Sequence, residues 1–135
     1  MKYAEELKKA ILSEDFYETN EILSKVREEE DSFEYVSYLL QLMEENPDLD
    51  FGVPGPAVHF VEKFFLKGYE ELLLESVTRR PTLHTLWMLN RIINSPALKD
   101  KEKYLDALKS ISENENESDL VREEARSFLS YQNGD

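Results

Sequence analysis

Apolar side chains recur at spacings of three and four along most of the chain, the period of a helix with one buried face. Over residues 2–12, Tyr3, Ala4, Leu7, Ala10 and Ile11 take one side, and Glu5, Glu6, Lys8 and Lys9 the other. The spacing predicts a first amphipathic helix. Ser13 or Asp15 is placed to cap a second, in which Phe16, Ile22, Leu23 and Val26 face inward and Lys25 and Arg27 sit where the macrodipole favours cations. A third runs from about Ser32, whose hydroxyl can accept from unpaired amides, to about Glu45, and buries Phe33, Val36, Leu39, Leu40 and Met43.

Residues 46–56 break the pattern with three prolines and two glycines, a composition no regular element holds without losing hydrogen bonds. This predicts a long loop, either a functional one or a packed crossover pinned by Leu49, Phe51 and Val53. Pro56 suits the first position of a fourth helix, with Val58, Val61, Phe64 and Phe65 buried and Gly68 at its end. A fifth, from Tyr69 to about Thr78, buries Leu72, Leu73 and Val77 and closes on Arg79, Arg80 and Pro81. Thr82 then caps a sixth, Leu83 to Ile93, apolar nearly all round and therefore expected to be enclosed by neighbours, Trp87 included. A seventh (about 100–112) buries Tyr104, Leu105, Leu108 and Ile111, and an eighth (about 118–131) buries Leu120, Val121, Ala125, Phe128 and Leu129. The fold expected is all-α, a single domain over residues 1–135. Its eight or so helices stack as antiparallel hairpins, HEAT-like or α-solenoid-like, around one long Pro/Gly loop at 46–56.

Charge changes this picture. The 135 residues hold 16 Lys+Arg and 29 Asp+Glu, a net charge of −13, and residues 1–50 alone carry 15 acids against 5 bases. Such acidity repels nucleic acid and anionic lipid and favours a basic partner. Glu28, Glu29, Glu30 and Asp31 form the densest run, tolerable at a helix boundary but not inside one, so a boundary belongs at 29–32. The run reads either as a solvated turn or, with Glu34, Asp48 and Asp50, as a partner-facing patch. Tyr35 and Tyr38 fall on the flank of the third helix, and cover the core edge or join an interface.

Catalytic machinery is sparse. There is no cysteine, no Gly-rich phosphate loop and no serine elbow, so no enzyme, cofactor or metal is expected. His59 and Glu62 share a helical i,i+3 spacing, a single pair that reads as a hydrogen-bonded structural histidine before it reads as ligands. No apolar run approaches the ~20 residues of a membrane span, and the first residues lack a signal-peptide core, so a soluble cytoplasmic protein is expected.

Two segments carry a resemblance: Phe51–Gly52–Val53–Pro54–Gly55–Pro56–Ala57–Val58–His59–Phe60–Val61–Glu62 and Arg80–Pro81–Thr82–Leu83–His84–Thr85–Leu86–Trp87–Met88–Leu89–Asn90–Arg91–Ile92. They resemble the all-helical immunity proteins of bacterial polymorphic toxin systems, in particular the immunity protein 30 family. The resemblance implies a cytoplasmic antitoxin that binds a cognate toxin domain, one with a basic face, and blocks it by occlusion. Gly52, Pro54, Gly55, Pro56, His59, His84, Trp87, Asn90 and Arg91 read as architecture of the loop and the sixth helix, which leaves the toxin contact to the acidic amino-terminal region. The alternative is a helical-repeat adaptor or homodimer.

Overall fold

The computed structural model describes residues 1–134 and contains eight helices and, among those residues, no strand. Their Cα packing divides into two compact units, Met1–Tyr69 and Glu70 onward.

The first unit holds α1 (Ala4–Leu12), α2 (Phe16–Val26), α3 (Glu34–Glu45) and α4 (Pro56–Glu62). Leu7, Ala10 and Ile11 of α1 meet Ile22, Leu23 and Val26 of α2, and α4 packs on α2 and α3 through Val58, Phe60 and Val61. Asp15 is the cap of α2: its carboxylate accepts the Glu18 N–H at 3.0 Å, whereas Ser13 spends its hydroxyl on the Lys9 carbonyl. Between α1 and α2, Glu14 takes a left-handed conformation (φ 55°) and its N–H and that of Asp15 return to the Ile11 and Ala10 carbonyls. That pairing satisfies the last turn of α1 and reverses the chain.

Three expectations for this unit change. Phe16, at the first position of α2, is 39% exposed although it lies on the side of Thr19 and Leu23, because the end of the helix is only partly covered. Ser32 caps nothing by its side chain; Phe33 is the cap residue of α3, and its half-exposed ring lies 5.3 Å from Phe64. α4 stops at Glu62, and irregular turns carry residues 63–68. Gly68 ends them at φ 115°, where an added Cβ would stand 2.8 Å from the Phe33 ring.

The second unit holds the rest of α5 (Tyr69–Arg79), α6 (Leu83–Ile93), α7 (Lys101–Glu113) and α8 (Asp119–Asn133). Thr82 caps α6 in a reciprocal box: Thr85 N–H donates to the Thr82 hydroxyl at 3.0 Å, and Thr82 N–H donates to the Thr85 hydroxyl at 3.1 Å. The turn at 114–118 is short, and Ser118 caps α8 by accepting the Val121 N–H at 3.2 Å. α7 and α8 form the most extensive helix pair of this unit, and both also touch α6. Gln132 on α8 donates to the Asn90 and Asn94 side chains at 2.7 and 2.8 Å, tying the end of α8 to the end of α6.

Here too the amphipathic reading overreaches. α6 is not enclosed: Leu86, Met88, Leu89, Ile92 and Ile93 are buried, but Leu83 is exposed and His84, Trp87, Asn90 and Arg91 are half-buried. On α8 only Ala125 is fully buried, and Leu120, expected in the core, is 67% exposed. Leu72 and Leu105 are only half-buried.

Candidate functional site

The placement of the acidic residues follows from how α3 is held. The Tyr35 ring is wholly buried, and its hydroxyl accepts the Tyr3 N–H at 3.0 Å. One turn on, the Tyr38 hydroxyl donates to the Ala4 carbonyl at 3.1 Å. Both tyrosines therefore bind the start of α3 to the start of α1, satisfying backbone groups at a helix terminus that has no side-chain cap. Tyr35 is sealed in the core and offers no surface to a partner, whereas Tyr38 is half-buried. Burial also pushes both phenols above the ordinary 10.0.

The run Glu28–Asp31 lies in the turn between α2 and α3, the boundary that like-charge repulsion required. Two of its acids face the chain's own amino terminus: Asp31 lies 3.0 Å from the Met1 amine, and Glu29 lies 3.4 Å from Lys2. The Glu29 carboxylate raises the Lys2 ammonium above its ordinary 10.5. Glu28, Glu30 and Glu34 are exposed. The acidic patch on this turn thus consists of three outward carboxylates rather than four consecutive ones.

Asp48 and Asp50 do not join that patch. They lie beyond the far end of α3, whose 12 residues put about 18 Å between its two ends. There Asp50 organises the loop: its N–H donates to Glu14 Oε2 at 3.0 Å, and its carboxylate accepts the Gly52 N–H at 2.9 Å. The loop then closes on itself, because the Gly52 and Gly55 backbones pack against one another and Gly55 lies against the Phe51 carbonyl. A Cβ at Gly55 would collide with that carbonyl, and Gly52 adds φ 86°. Phe51 is buried beneath, while Val53, expected as a pin, is 76% exposed at the loop's tip, and Pro54 is exposed beside it. Phe51, Pro56 and Ala57 enclose with Ile11, Glu14, Phe16 and Thr19 a pocket of only about 10 Å³, room for no more than a single water.

The other motif residues divide in the same way. His59 is exposed on α4, its N–H donating to the Gly55 carbonyl at 3.0 Å as part of the helix start. On α6 the Trp87 ring lies 5.4 Å from the His84 ring, tilted 38° to it, and 5.1 Å from the Arg91 guanidinium. Among the described residues no three His, Asp or Glu side chains are grouped to hold a metal ion, and no helix is long and apolar enough to cross a membrane. Comparison of the chain with family models, curated proteins and solved structures finds no match.

What pattern reading missed is the exposure of Leu12, Phe16, Tyr17 and Val53 around the α1–α2 turn and the 46–56 loop. A signal was present: residues 10–24 contain no lysine or arginine, and neither does the stretch from Glu28 to Glu62. Both segments are acidic in sequence, and the cations nearest the α1–α2 turn are Lys8 and Lys9 of α1, which share surface grooves with Leu12, Asp15 and Glu18.

Proposed function

We propose that this protein is a stoichiometric binding module whose first unit engages a basic protein surface, as an immunity protein does when it occludes a toxin domain in the cytoplasm. One observation carries the reading: Glu28, Glu30 and Glu34 project from a turn that Tyr35, Tyr38 and the ion pairs of Glu29 and Asp31 hold to α1. Pre-ordered carboxylates cost little conformational entropy on binding and steer a cationic partner into encounter. The first unit as a whole has 16 acids against 7 bases, the second 13 against 9. The resemblance of residues 51–62 and 80–92 to the immunity protein 30 family supplies the toxin as partner.

The test is co-expression with the toxin domain encoded beside this chain's gene. Protection is expected from the native protein. The triple variant Glu28→Lys, Glu30→Lys, Glu34→Lys is expected to lose protection and to show a flatter salt dependence of binding, with unchanged helix content. Failure of the native chain to protect rejects the reading.

A second reading, a self-associating helical adaptor, is favoured by α8. Leu120 and Tyr131 are 67% and 65% exposed on one face of that helix, apolar area that a second copy could cover. Sedimentation of the protein alone distinguishes it, since a dimer lost on Leu120→Ser with Tyr131→Ser would establish the adaptor.

A further inference from the structure

Of the four consecutive acids in the turn between α2 and α3, Glu28 and Glu30 are exposed, while Glu29 and Asp31 are met by cations of the chain itself. The cation on Glu29 is Lys2, at 3.4 Å. Its place is set by its neighbours. Tyr3, the next residue, donates its N–H to the buried Tyr35 hydroxyl, and the Tyr3 ring centroid lies 5.4 Å from the Lys2 Nζ. Ala4 is held in turn by Tyr38. The backbone that carries Lys2 is thus anchored to the first turns of α3, and its ammonium is delivered to Glu29 as an intramolecular ligand, at high effective concentration. Glu29 also raises the Lys2 ammonium above its ordinary 10.5, so Lys2 is charged throughout the neutral range. The contact is nevertheless open to solvent, the Lys2 side chain being 66% exposed and that of Glu29 30%.

We propose that Lys2 is an autoinhibitory contact on the acidic turn: it occupies Glu29 in the free protein and is displaced by a cationic side chain of the partner, so that Glu29 joins Glu28, Glu30 and Glu34 only in the complex. The inference rests on the basic-partner reading above and adds to it a regulation of the same turn. An exposed ammonium–carboxylate pair contributes little stability, which makes the exchange feasible. An arginine of the partner gains from it, because a guanidinium can engage both carboxylate oxygens in parallel, whereas Lys2 brings a single ammonium. A surface without a well-placed cation leaves Lys2 where it is and meets one carboxylate fewer. Displacement does not cost the turn its order, since Tyr35, Tyr38 and the Met1–Asp31 pair still hold it.

The experiment is a double-mutant cycle. Full-length, isotope-labelled native protein, Lys2→Gln, Glu29→Gln and the double variant are each titrated with a hexa-arginine peptide, followed by the amide shifts of residues 28–34. Lys8→Gln, which removes the same charge six residues on, serves as comparison. In about 0.1 M salt the Debye length of about 10 Å screens remote charges, and Lys8→Gln is expected to tighten binding by about 1.3-fold or less. Lys2→Gln is expected to bind about threefold more tightly than the native chain, the scale of one exposed ion pair. In the Glu29→Gln background, Lys2→Gln is expected to do no more than Lys8→Gln does. Helix content should be native in all variants, because every substituted side chain is at least partly exposed.

An equal gain from Lys2→Gln in both backgrounds would overturn the proposal, because Lys2 would then act through overall charge. Unchanged or weaker binding of Lys2→Gln would also overturn it, since Lys2 would then be indifferent or a brace that orders the turn. If the peptide moves no resonance of residues 28–34 in any variant, the basic-partner reading falls and this contact with it. Toxin protection by the native chain together with an additive cycle would leave the proposed function standing and remove the autoinhibition. A coupled cycle without toxin protection would remove the toxin as partner and keep the autoinhibition.

Discussion

Single side chains in this protein do work that their type does not announce. Tyr35 sits where an interface tyrosine would, yet its hydroxyl closes a backbone N–H on another helix inside the core. Tyr35→Phe keeps the ring and removes that acceptor, so a loss of about 1–2 kcal/mol is expected by urea denaturation, with little change in the slope. Trp87 is the opposite case. Full burial would make Trp87→Ala cost ~3–5 kcal/mol, but Trp87 is half-buried, with His84 and Arg91 beside its ring. About 1–2 kcal/mol is therefore expected from the same measurement, the ring's solvent side being already hydrated. Gly55→Ala should be worse than its small volume suggests. The new methyl would meet the Phe51 carbonyl, backbone against backbone, and a clearly lowered melting temperature is expected.

Helix ends follow local chemistry more faithfully than helix faces do. Pro56 and Thr82 stand at the starts assigned to them, and Ser118 caps α8. Thr82→Ala is expected to cost about 1–2 kcal/mol, because it removes the hydroxyl that accepts the buried Thr85 N–H and leaves that donor without its acceptor. Thr82→Ser should recover most of that. Faces are less legible because periodicity reports which side of a helix is apolar, not how much of that side a neighbour covers. On α8 the stripe from Leu120 to Leu129 has the right spacing, but Leu120 stays exposed, Val121, Phe128 and Leu129 are half-buried, and Ala125 alone is sealed. At the first position of α2 and on α6, Phe16, Leu83 and Trp87 extend apolar surface outward for the same reason.

Across the molecule, the buried tyrosines are expected to lower stability at alkaline pH. Burial raises the Tyr35, Tyr38 and Tyr104 phenols, and nearby carboxylates add to this, Glu70, Glu71 and Asp100 in the case of Tyr104. Where the folded pKa is raised, the unfolded chain releases its proton first as pH rises. Stability is then unaffected by these groups below about pH 10 and falls above it. The Lys2–Glu29 pair acts in the same direction, its contribution present below the ordinary lysine value and lost above the raised one. Thermal unfolding should thus be level from neutral pH to about pH 10 and decline beyond it, and the decline should be shallower in Tyr104→Phe. By itself the sequence determined the helical class, a helix boundary at 29–32, the loop at 46–56, the start of the second helix near Ser13 or Asp15, and the concentration of negative charge in the first 50 residues, since period, proline, glycine and like-charge repulsion are local properties. Tertiary structure alone decided which apolar faces are covered and which carboxylates stand together. It placed Asp48 and Asp50 at the opposite end from Glu28, Glu30 and Glu34, because the length of a packed α3 lies between them, and a helix separates residues by its rise rather than by their count.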